Sequence, residues 1–237
     1  MSKRVAIVQS SYIPWKGYFD LIRAVDEFIL LDDVQFTKRD WRSRNRVKTK
    51  DGPVWLTIPV HTKGRVTQAI QETEISDRGW AARHWRTIQH AYARTPFFDQ
   101  YAGHFERLYA HPVSDRLSLV NHSFIAAIIQ LLGVRTPLSW SADYRPRLGR
   151  NERLIDLCVK CGATEYLSGP SARGYLDERA FANAGITVQF AEYGGYPEYP
   201  QPHPPFEHGV SVLDLLFCTG PRALDYMKSV CCASSQA

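Results

Sequence analysis

A chain of 237 residues with 44% apolar and 22% charged residues can bury a core of its own, and it carries no low-complexity tract or internal repeat. No apolar run approaches the roughly 18 residues of a membrane span, and the first apolar stretch is too short for a secretory signal, so no membrane span and a cytoplasmic location are expected. The net charge of +5 is modest but concentrated: Lys38, Arg39, Arg42, Arg44, Arg46, Lys48 and Lys50 crowd into KRDWRSRNRVKTK, opposed only by Asp40. The rest of the chain shows no nucleic-acid recognition motif or repeated basic face, so no nucleic acid is expected as a partner. A small anionic ligand needs only a few placed arginines, and that is the expected partner class.

In chain order, Lys3 to Ser10 reads as a short buried strand, followed by a Pro-Trp-Lys-Gly turn and a helical segment from Tyr18 to Val25. Phe28 to Leu31 is a second apolar strand. Strand, turn, short helix and strand make a βαβ unit, which favours a parallel sheet. Val54 to Val60 suits a further strand. Ala81, Trp85, Ile88 and Tyr92 recur at helical spacing over residues 80–94, ended by Pro96. A longer helix is predicted from about Asp115 to Leu132, closed by Gly133. Asn151 can cap a helix that runs through Cys161. Glu165 to Leu167 is a short strand, Asp177 to Ala184 a short helix, and Ile186 to Phe190 another strand. Residues 193–206 hold five prolines and exclude a regular helix or central strand. A last helix, or a pair broken at Gly220-Pro221, spans Ser211 to Met227.

The fold class that results is α/β, with a Rossmann-like parallel-sheet core and a mostly helical middle insertion or cap. The expected division is one domain over 1–237, its core at about 1–75 and 150–230 and its cap at about 76–149. Five cysteines are present. Cys158 and Cys161 form one CxxC without a second pair or spaced histidines, so no metal site is expected and both read as helix packing residues. Nor do the scattered histidines compose a zinc or catalytic set. The small polar tail CCASSQA is expected to lack order.

In open α/β sheets, ligands bind beyond the carboxyl ends of the strands, and three loops are expected there. In the first, Gly17 permits close backbone approach at a helix start that favours an anion, and Lys16 adds charge. The equal alternative is a turn that only sets geometry, with Trp15 packed underneath. In the second, Asp32 and Asp33 must point to opposite sides if they continue the strand. One of them can accept a proton or orient an amine; ion pairing with an arginine is the plainer reading of either alone, but the pair together is read as catalytic because the arginine-rich loop begins within six residues. Arg42, Arg44 and Arg46 share a face if the segment is extended, and an anion between them relieves their repulsion. Asn45, on the other side of that alternation, is expected to bond backbone. The third loop, SGPSARGY, offers Ser168, Gly169, Ser171 and Arg173 as donors, without P-loop or dinucleotide spacing. His61, at a strand end, is the most plausible single histidine.

VAIVQSSYIPWKGYFDLI, DDVQFTKRDWRSRNRVKT, GPVWLTIPV, YLSGPSARGYLDE, YPEYPQ and VSVLDLLFCTGP together resemble the WbqC-like family, in the family's order and over nearly the whole chain. Ser11 departs from the family's usual Gln-Pro after the first strand, although Gln9 is kept. Gly195 precedes Tyr196-Pro197 in a place where many members carry His before Pro, so a histidine role is not expected at that spot. Such relatives are found with genes for surface polysaccharide or natural products, so the resemblance implies a transferase placing an acyl or aminoacyl group on an amine. The resemblance brings no settled catalytic set; Gln9, Tyr12, Trp15, Gln35, Lys38, Tyr199 and Gln201 complete the binding candidates, which rest mainly on the crevice argument. A nucleotide-sugar, a phosphopantetheine carrier or an acyl donor would be the anionic ligand, with an acyl or peptidyl carrier protein as partner; no cofactor is required by the sequence. If a covalent intermediate forms, Cys158 is the thiol to test. A weaker architectural likeness is to HUP-type nucleotidyltransferases, but Trp15-Lys16-Gly17-Tyr18 stands where those enzymes carry histidines. Nucleotidyl transfer and non-catalytic binding of a nucleotide-sugar are the alternatives.

Overall fold

The structure, a computed structural model, describes residues 2–147 and 149–228; Cys231, Cys232 and the CCASSQA tail lie outside the described residues. The strands are β1 (Arg4–Val8), β2 (Glu27–Leu30), β3 (Arg44–Thr49), β4 (Gly52–Thr57), β5 (Leu138–Trp140), β6 (Glu165–Ser168) and β7 (Thr187–Phe190). The α-helices are α1 (Lys16–Arg23), α2 (Trp80–Tyr92), α3 (Phe98–Ala110), α4 (Leu117–Leu131), α5 (Asn151–Lys160), α6 (Glu178–Asn183) and α7 (Val212–Thr219).

Five strands make one parallel sheet in the order β5-β2-β1-β6-β7. Counting only these strands, the order is 3-2-1-4-5, the Rossmann-like arrangement, and it reverses between β1 and β6. Side-chain alternation gives the sheet two apolar faces. Val5, Ile7, Ile29 and Tyr166 pack with Leu154, Leu157 and Cys158 of α5 and Phe181 of α6. Ala6, Phe28, Leu30 and Leu167 belong to the larger core on the opposite face, with α1, α2, α3, α4 and α7.

Two features change the expected layout. Residues 138–140, inside the stretch expected to form a cap, are an edge strand of the sheet. Helices α2 to α4 share a continuous core with α1 and the sheet. The second feature is the basic run, which folds back with VWLT as an antiparallel hairpin of β3 and β4, separate from the main sheet. The hairpin rests against α2: the Tyr92 hydroxyl accepts from the Lys48 backbone N–H at 2.8 Å and donates to the buried carboxylate of Asp214 at 2.8 Å. Tyr199 and Gln201 donate to the same carboxylate, which places the proline-rich segment over α7.

Candidate functional site

A crevice of about 290 Å³ opens beyond the carboxyl end of β1. The loop after β1 supplies Ser11, Pro14 and Trp15, with Tyr18 from α1; the loop after β2 supplies Trp41 and Arg42; β3 adds Asn45 and Arg46, and Gly209 closes the side. This is the position at which an α/β sheet places its ligands, beside the reversal of strand order.

Its walls are held by backbone-directed hydrogen bonds. Asn45 donates through Nδ2 to the carbonyls of Tyr12 (3.2 Å) and Ile13 (2.9 Å), as expected of a backbone-binding amide. Ile13 has φ of 36°, a left-handed conformation that costs a β-branched residue on the order of 1–3 kcal/mol. The Asn45 bonds hold it there, together with Tyr12 N–H donating to Trp41 C=O and Val212 N–H donating to Pro14 C=O. Arg42 donates from Nη1 to Gln9 Oε1 at 2.6 Å, while its buried Nε has no hydrogen-bond acceptor among the described residues; Asp40 stands 3.9 Å away. Arg46 donates from Nε to Gly209 C=O at 3.0 Å and lies 3.6 Å from the Glu207 carboxylate. Gly209 lets the Arg46 guanidinium lie close to the backbone, where a Cβ would displace it. Arg44 stacks over Trp55 at 4.2 Å, and its Nε is also buried without an acceptor among the described residues.

The first loop takes the geometric reading of its turn. A Cβ on Gly17 would overlap the Trp15 indole, which folds over the start of α1 and packs against Tyr193 and Tyr196. The glycine therefore accommodates Trp15 rather than a ligand. Lys16 turns away from the crevice into Tyr196, Tyr199 and Phe206, donating to Pro197 C=O at 3.2 Å; burial brings its ammonium down to about 8, opposed by Asp20 and Asp214. Tyr12 is core: its hydroxyl lies 2.9 Å from His84 Nδ1 and 2.6 Å from the Tyr109 hydroxyl.

The aspartates do lie on opposite sides, but neither enters the crevice. Asp32 is buried, accepting from Ser10 N–H at 2.8 Å and from the Ser118 hydroxyl of α4. Burial raises its carboxyl, opposed by those bonds and by the charge of Arg42. Asp33 pairs with Arg153 of α5 at 2.9 Å and accepts from Ser141 at 2.5 Å. Both carboxylates thus join the sheet to a helix, which replaces the catalytic roles expected of them. Cys158 is fully buried against α5's sheet face, and burial pushes its thiol up, so a thiolate nucleophile is disfavoured there.

Other expected residues fall elsewhere. Ser168 is buried near the Tyr166 hydroxyl, Gly169 faces Tyr193, Ser171 is exposed, and Arg173 lies over Phe190 at 4.4 Å. The third loop therefore does not line this crevice. His61 is exposed and uses its backbone toward Glu74 and Gln68. Gln35 is exposed and donates to Val66 C=O, and Lys38 is exposed. Tyr199 and Gln201 serve the Asp214 network. Ser11, Pro14, Tyr18, Trp41 and Gly209 are lining residues that sequence reading passed over. Trp41 had a usable signal, since it opens WRSRNR; Gly209 had none, because its role depends on a guanidinium far away in sequence.

The WbqC-like protein family matches residues 9–226, which takes in all of the crevice lining except Val8. The chain belongs to the WbqC-like family. A relative in Mycobacterium tuberculosis, the uncharacterized protein Rv1507c, is 50% identical over 226 residues, covering 95% of this chain and 98% of its own length. No solved structure matches. The WbqC-like chain thus joins a Rossmann-like sheet to a basic, aromatic-walled crevice, and no helix among its described residues is long and apolar enough to cross a membrane.

Proposed function

We propose that the protein is a transferase that moves an acyl or aminoacyl group onto an amine, holding the anionic handle of one substrate in the Arg42–Arg46 crevice. The carrying observation is the convergence of two guanidinium groups, those of Arg42 and Arg46, on one aromatic-walled crevice at the carboxyl end of β1. Charged hydrogen bonds from arginine suit a phosphate or carboxylate. The family resemblance supplies the reaction class.

Among the described residues, the crevice walls carry guanidinium, amide and hydroxyl groups but no carboxylate, imidazole or thiol. That favours direct transfer from an activated donor. The amine nitrogen attacks a thioester carbonyl, the C–N bond forms as the C–S bond breaks, and the amine proton passes through water to the departing sulfur, which leaves as the thiol. Binding and orientation do the work, as expected where two reactants are held together. The same wall chemistry supports the second reading, a protein that binds a nucleotide-sugar without turnover.

Incubation with an aminoacyl-phosphopantetheine thioester and a nucleotide-linked amino sugar, followed by mass spectrometry, distinguishes them. The proposed enzyme gives an amide product with release of one thiol. Arg42→Ala lowers the yield roughly 10-fold or more, and Cys158→Ser leaves the product intact. Ligand binding without product from any thioester tested would favour the second reading.

A further inference from the structure

Trp41 lines the crevice while remaining 44% exposed, and Trp55 beside it is 42% exposed. Their rings lie 5.4 Å apart, tilted by 39°, and Trp55 in turn carries Arg44 at 4.2 Å and Arg46 at 5.6 Å. Large indoles left in water at a crevice mouth are costly to maintain unless something covers them. Here the tryptophans are also braced. Trp55 sits on an antiparallel strand directly across from Arg46, and the Trp41 backbone is tied to Tyr12 at 3.0 Å. A second ring, Trp15, lines the crevice from the other loop, itself packed on Tyr193 at 5.1 Å and Tyr196 at 5.5 Å. Two rigid flat walls on separate loops therefore stand beside two arginines.

We infer that the ligand of this crevice is a nucleoside diphosphate or a molecule built on one, its base stacked on Trp41 and its phosphates held by Arg42 and Arg46. The inference rests on the crevice being an anion site and adds what the rest of the ligand is. A phosphopantetheine arm has no flat ring and would leave the Trp41–Trp55 pair uncovered. A base has a π-face that an indole accepts whatever its hydrogen-bonding edge. Stacking of this kind tolerates both purines and pyrimidines, so the choice of base is weakly discriminated.

The experiment titrates the full chain with UDP, ADP, pyrophosphate and glucose 1-phosphate, reading heat and tryptophan fluorescence. UDP and ADP are expected to bind tighter than pyrophosphate by roughly 5- to 150-fold, with quenching of indole emission. Trp41→Ala, at an exposed side chain, brings both nucleotides down to the affinity of pyrophosphate and leaves pyrophosphate unchanged; Trp41→Phe keeps most of the difference. Equal affinity for pyrophosphate and the nucleotides overturns the inference while leaving the anion site standing. Glucose 1-phosphate binding as tightly as UDP overturns it in favour of a stacked sugar ring. No binding of any of the four overturns the anion site as well.

Discussion

At the scale of single residues, His84 shows how burial fixes a protonation state. Its Nε2 lies 3.2 Å from Thr57 C=O and must donate to it, so Nδ1 accepts from the Tyr12 hydroxyl, which accepts in turn from Tyr109. Burial brings the imidazole down from 6.5 to about 4. Between those values the unfolded chain binds a proton that the folded chain refuses, so the folded state loses stability as pH falls through that window. The loss approaches roughly 3 kcal/mol for a shift of this size. Urea unfolding at pH 7, 5.5 and 4.5 should show the wild type losing ground to His84→Gln as the acid is added. Parallel behaviour of the two chains would contradict a neutral buried imidazole. The histidine was visible in the sequence, but its partners were not: Tyr12 and Tyr109 lie on other elements. The aspartates teach the same lesson. Strand alternation would have aimed one of them at the crevice, but β2 ends at Leu30, and only the packing of α4 and α5 shows that Ser118 and Arg153 hold them.

At the scale of elements, strong periodicity was legible and long-range pairing was not. The first βαβ unit, α2, α4, α5, α6 and the last two strands follow from apolar spacing that one element carries by itself. Helix α3 was legible as well, since its buried residues, Phe98, Tyr101, Phe105 and Tyr109, recur at helical spacing; the reading stopped at Pro96 and did not resume there. Strand β5 is three residues long and is defined only by its neighbour β2. The β3–β4 hairpin is the decisive element for the site, because its register sets Arg46 across from Trp55 and leaves Arg44 diagonal to it. Gly209 fixes the remaining freedom of Arg46. Gly209→Ala would push a flexible guanidinium aside rather than strain a core, so stability should change by less than about 1 kcal/mol. Pyrophosphate affinity should nevertheless fall several-fold, on the order of a weakened charged hydrogen bond. Calorimetric titration beside a melting curve checks both; a large loss of stability with unchanged affinity would show Gly209 to be structural only.

At the scale of the whole molecule, the parallel sheet, its reversal between β1 and β6, and the two apolar faces explain why a crevice opens where it does. The carboxylates and the thiol that first looked chemical are used to join sheet to helix or to fill the core. The groups left facing the crevice are cationic, aromatic and amide. The account therefore stands on the claim that ligand recognition belongs to the Arg42–Arg46 crevice and not to the aspartate pair. Pyrophosphate titrated into the wild type, Arg42→Ala and Asp33→Ala tests it most directly. Arg42→Ala should weaken binding roughly 10-fold or more, whereas Asp33→Ala, which strands Arg153, should lower the unfolding midpoint and keep affinity within about 2-fold. Unchanged affinity in Arg42→Ala, together with lost affinity in Asp33→Ala, would contradict the account.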